Sequence, residues 1–157
     1  MKLLLLLFMA LPGLAQFRSI EITFAGIGCV TCIESLPGRI QRIRGVESAT
    51  VDAEHGILKI QLAQTNRVRL EQVRDIIEQD GTKARKAAVR VQGALSQVDG
   101  KWVLQPEGVS ATYELLGLPF TEPAGTYTVL GEITEPHPDS GRIVIHGHNF
   151  THAQSLR

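Results

Sequence analysis

The sequence predicts an α+β chain in which a unit of four strands and two helices precedes a small all-β unit. Three observations predict it. Apolar residues alternate between Ser19 and Phe24, apolar stripes recur at three- and four-residue spacing after Cys32 and after Asn66, and helical periodicity stops near Ala87.

The elements follow in order. Ile20, Ile22 and Phe24 alternate with Ser19, Glu21 and Thr23, which gives a strand with one apolar face. The turn Ala25-Gly26-Ile27-Gly28 then leads into Cys29 and Cys32. Ile33, Leu36, Ile40 and Ile43 mark one face of a helix that Gly45 ends. Pro37 falls inside that stretch, so either the first turn is distorted or the regular helix begins near Pro37. Ala49, Val51 and Ala53 on one side of His55-Gly56, and Leu58, Ile60 and Leu62 on the other, form a hairpin. Thr65 or Asn66 is expected to cap a second helix, with Leu70, Val73, Ile76 and Ile77 as its buried stripe and Gly81 at its end. The chain returns as a strand over 83–91. Strand, helix, two strands, helix, strand is the ferredoxin-like βαββαβ arrangement.

The remainder carries Gly or Pro every few residues, with candidate strands at 89–96, 101–105, 112–116, 126–132 and 142–148. Their spacing suggests an OB-like barrel or a sandwich that closes on Trp102, Leu104, Leu115 and Val144. The expected division is a ferredoxin-like unit over 16–90 and a small β unit over 91–157, each with its own core. A chain cut near Gly93 would then leave a first unit that still folds.

Residues 1–15 read as a signal peptide. Lys2 precedes the apolar block from Leu3 to Leu11, Pro12 and Gly13 break it, and the small residue Ala15 closes it. The apolar run is about half of the roughly 20 residues that a spanning helix needs. Export to the periplasm or the exterior is therefore expected, with no stable membrane anchor after cleavage. Sixteen basic residues balance sixteen acidic ones, and no basic stripe interleaves with aromatics, which excludes nucleic acid as the expected partner. Ser, His and Asp occur without a nucleophile elbow, so no enzyme is expected.

The chain's two cysteines stand in one Cys-x-x-Cys. Two thiols three positions apart at a helix start can face one ion, and the exposed N–H groups there lower the thiol pKa. Soft sulfur prefers Cu(I), and two sulfurs suffice for the near-linear coordination of Cu(I) or Hg(II). Zn(II) wants four ligands, and nothing close in sequence supplies two more. The plainest alternative is a local disulfide in an oxidising compartment. Another is a thiol-disulfide redox protein, although no Trp-Cys-Gly-Pro-Cys surrounds the pair. A third makes the cysteine unit a sensing or docking module for the β unit. His146, His148 and His152, with His137 in the preceding loop, could bind Cu(II) or Zn(II), but a solvated strand end is the simpler reading.

The stretch Gly26-Ile27-Gly28-Cys29-Val30-Thr31-Cys32, then Gly45-Val46, then Ala49, Val51 and Asp52, and finally Ile76-Ile77-Glu78 with Asp80-Gly81, resembles the heavy-metal-associated domain family over about residues 19–87. That family includes copper chaperones, amino-terminal domains of metal-pumping ATPases and periplasmic mercury-binding proteins. The resemblance implies Cys29 and Cys32 as the metal ligands, Cu(I) or Hg(II) as cargo, and a metal transporter or exported metalloprotein as partner. It also implies that Cys29 is the more exposed, entering thiolate. Ile27 stands where the family usually has Met, and Gly28 where zinc-directed members often have Asp, which removes a carboxylate and disfavours Zn(II). Thr82, followed by Lys83, replaces the usual aromatic or Lys after the second helix.

Overall fold

The computed structural model describes residues 17–26, 29–106, 109–117, 124–134 and 143–152. The expected signal segment, Ile27, Gly28 and His137 lie outside the described residues.

Phe17–Ala25 (β1) is extended because Ile20, Ile22 and Phe24 bury on one side while Glu21 stays exposed. Val30–Gln41 (α1) buries Ile33, Leu36 and Ile40 along one stripe. Pro37 sits inside this helix, which already begins at Val30. Its ring removes one N–H from the ladder, and the buried stripe offsets that loss. Gly45 turns the chain at φ 101°, where an added Cβ would meet the Asn66 Cβ at 2.6 Å.

Val46–Asp52 (β2) and Ile57–Leu62 (β3) form the expected hairpin. Asp52 closes its turn by accepting the His55 N–H at 3.1 Å, so His55 is a turn residue. The second helix, Leu70–Glu78 (α2), buries Leu70, Val73 and Ile77, but it starts later than a cap at Thr65 or Asn66 requires. Its N-cap is Arg69, whose side chain caps nothing. Asn66 is buried instead: its amide donates to the Phe17 carbonyl at 2.8 Å and the Ala63 carbonyl at 2.7 Å, and its oxygen accepts the Val68 N–H at 3.1 Å. The residue that looked like a cap ties the loop before α2 to the start of β1.

Lys83–Val98 (β4) is followed by Lys101–Gln105 (β5), Tyr113–Leu116 (β6), Gly125–Ile133 (β7) and Ile143–His152 (β8). The first four strands pair antiparallel in the order β2-β3-β1-β4, as a βαββαβ unit demands. Beyond them β4 continues. One of its edges carries β1 up to Val91 and then β5 from Ala94, while the other carries β7 from Ala87 to Leu95. β5 pairs with β6, β6 runs parallel to β8, and β8 returns antiparallel to β7. The strands β4-β5-β6-β8-β7 therefore pair in a ring that returns to β4.

The boundary expected at 90/91 falls in the middle of β4 and not in a linker. Phe17 of β1 meets Tyr113 of β6 edge to face, with ring centroids 5.5 Å apart. Buried residues from Phe17 to Ile145 form one contiguous cluster, so the expectation of separate cores gives way to a shared one. Gly93 looked like a boundary glycine. A Cβ there would lie 2.8 Å from the Gln105 carbonyl oxygen, which shows a strand glycine under a close backbone approach. Leu104, Leu115 and Val144 are buried as expected, and Trp102 packs half-buried against the core cluster. Among the described residues no helix is long and apolar enough to cross a membrane.

Candidate metal site

Cys29 is the N-cap of α1, with φ −162° and ψ 122°, the extended geometry that lets a capping side chain turn back over the first turn. Its Sγ accepts the Cys32 backbone N–H at 3.3 Å. Cys32 follows one turn later, and the two side chains share the same helix start. The Thr31 hydroxyl lies 3.0 Å from the Cys29 Sγ and can donate to it once the thiol ionises. Both thiols are free.

The pair is electrostatically asymmetric. Hydrogen bonding from the Cys32 side chain, then from Thr31 and the Cys32 backbone, holds the Cys29 thiol below its ordinary value. Donating to Cys29 pushes Cys32 upward, and burial, the Cys29 charge and Asp80 act the same way, while Arg39 opposes them. Cys29 is thus the first to ionise. The two are similarly half-buried, so the structure does not single out Cys29 as the more exposed thiol.

A second layer of charge stands beside Cys32. The Arg39 guanidinium pairs with Asp80 at 2.7 Å and donates to the Ile76 carbonyl at 3.2 Å, which clamps α1 to the end of α2. Arg39 is the cation that acts on Cys32, and the spacing of the cysteines does not point to it. The signal was available: Arg39 lies two helical turns after Cys32, on the same face. Thr82 is buried, while Lys83 faces solvent.

Among the described residues no group of three or more His, Cys, Asp or Glu is placed to hold a metal. Among the described residues no histidine side chain joins the cysteines. His146 and His148 are exposed on β8, and the His148 Nε2 lies 4.0 Å from a Glu132 carboxylate oxygen that Lys86 holds at 2.8 Å. The His152 side chain lies outside the described residues. Among the described residues the site therefore offers two thiols and no third ligand of the usual kinds, which suits low coordination.

No model of a known protein family matches the chain, and no curated protein matches it. A solved structure described as CopZ metallochaperone is similar over 42% of this chain and 97% of its own, at 27% identity and a TM-score of 0.38. A copper binding domain from HMA7, a P-type ATPase, is similar over 43% of this chain and 89% of its own, at 24% identity and a TM-score of 0.38.

Proposed function

We propose that the protein carries one soft metal ion, Cu(I) or Hg(II), between Cys29 and Cys32 and passes it on by thiolate exchange. The observation that carries this reading is the cysteine pair itself: a thiol favoured to ionise at a helix N-terminus, its partner one turn on, and, among the described residues, no third ligand beside them. Exchange needs no change of oxidation state. A partner thiolate joins the ion, and the bond to Cys29 or Cys32 breaks and leaves that sulfur free to take a proton. The partner is a metal transporter or an exported metalloprotein with thiolates of its own. Export through residues 1–15 to the periplasm or exterior belongs to the same proposal. So does the division into a metal-binding ferredoxin-like unit and an OB-like β unit, which meet in β4.

Competition titration of the reduced protein with Cu(I), Hg(II) and Zn(II) against a chelator tests this reading. One Cu(I) or Hg(II) per chain is expected, with Zn(II) far weaker for want of further ligands. Unchanged Cu(I) affinity after Cys29→Ser with Cys32→Ser would sink the assignment.

The unequal acidity of the thiols also favours a second reading, a dithiol redox couple in which Cys29 attacks first. Turnover of a model disulfide by the reduced protein, alongside weak Cu(I) binding, would support that reading over carriage.

A further inference from the structure

The sheet face opposite α1 and α2 runs without interruption from β1 across β4 to β7 and β8. In register, Arg90 stands across from Ser19 on one side and Leu130 on the other, with Asn149 beyond Leu130. The next row joins Gln92, Thr128 and Thr151. These rows line a groove of about 610 Å³, with Arg18 at one wall and Phe150 at the other. That is the volume range of small-ligand sites.

Its charge is one-sided. Arg18 sits where β1 slips register between Phe17 and Ser19, an irregularity of the kind that re-aims a side chain, and its guanidinium donates to Gln92 Oε1 at 2.9 Å. Arg90 is exposed, and among the described residues its guanidinium takes part in no ion pair or hydrogen bond. Among the described residues no carboxylate lines the groove. Among the described residues the acids in the adjoining row are matched already: Glu21 faces Lys59 at 3.9 Å, and Glu132 holds Lys86 at 2.8 Å. Two neighbouring cations without a counter-charge repel each other across the sheet. An oxyanion between them would remove that repulsion and match the fork of the guanidinium.

We propose that this groove binds a small molecule with an oxyanion head, carboxylate or phosphate. The head is held by Arg18 and Arg90, and the body lies over Leu130 and Phe150 within reach of the Thr128, Asn149 and Thr151 side chains. The site is separate from the cysteine pair, because β1 carries the chain about 20 Å from Arg18 to Ala25, at the end of the strand that leads to Cys29.

The test is a titration of the ¹⁵N-labelled full chain with inorganic phosphate and, separately, with malonate, each against sodium chloride at equal ionic strength. Saturable shifts of the Arg90, Thr128 and Thr151 amides are expected with one anion or both, at a Kd of about 1 mM or tighter. Phosphate alone or malonate alone would name the head group. Arg90→Gln should weaken binding about tenfold or more. Asn149→Asp, which brings a repelling charge to a site already exposed, should do likewise, and Cys29→Ser should change nothing. Shifts that match those in chloride, or unchanged affinity in both groove variants, would overturn the proposal. So would loss of binding in Cys29→Ser.

Discussion

Replacing Phe17 by Ala tests whether the metal-binding unit and the strand ring fold as one body. Phe17 is fully buried at the start of β1, and its ring meets Tyr113 of β6 edge to face at 5.5 Å. A buried Phe→Ala change costs about 4 kcal/mol, of which about 1 kcal/mol is the aromatic pair. The Asn66 bond to the Phe17 carbonyl involves backbone and survives the substitution. With a urea slope of about 2 kcal/mol per molar, the midpoint should fall by about 2 M. Two probes separate the halves. The helical circular dichroism signal reports α1 and α2, and fluorescence reports Trp102 of β5, the chain's one tryptophan. Both transitions should move together by the same amount. A helical transition that drops while the Trp102 transition stays at its wild-type midpoint would refute the shared core.

Two further outcomes follow from the same contacts and from the thiols. Among the described residues the buried Tyr113 hydroxyl has no hydrogen-bond partner, and burial raises the pKa of its phenol, so Tyr113→Phe should raise stability by about 1 kcal/mol in thermal or urea unfolding; a loss of similar size would show that the hydroxyl has a partner. Because the thiolate is the nucleophile and the Cys29 pKa is lowered while that of Cys32 is raised, iodoacetamide at neutral pH should label Cys29 ahead of Cys32. The lead should shrink as pH rises through the ordinary thiol range, and mass spectrometry that finds Cys32 labelled first would reverse the assignment of the leading thiol.

The first unit was legible because its signals are local. Ile33, Leu36 and Ile40 keep helical spacing, Leu58, Ile60 and Leu62 alternate, and both patterns bury as read. Most strands of the second unit were also legible, since turn residues bracket them. The joint between the units was not. Gly93 carries the same letter whether it breaks a chain or lets Gln105 approach, and only the closed ring tells which. Asn66 misled in the same way: an Asn before an apolar stripe reads as a cap, and its long-range bond to Phe17 cannot be seen along the chain. At the site, the pair and its helix start were legible from spacing. The Arg39–Asp80 clamp was missed because it joins α1 to the turn after α2, far apart along the chain.

X-ray absorption at the copper edge of the Cu(I)-loaded, reduced protein tests the central claim most directly. The thiolate pair predicts a first shell of two sulfur scatterers, lost in the Cys29→Ser with Cys32→Ser variant. A shell of nitrogen or oxygen scatterers that persists in that variant would place the metal at the histidines of β8 or elsewhere, and would contradict the account.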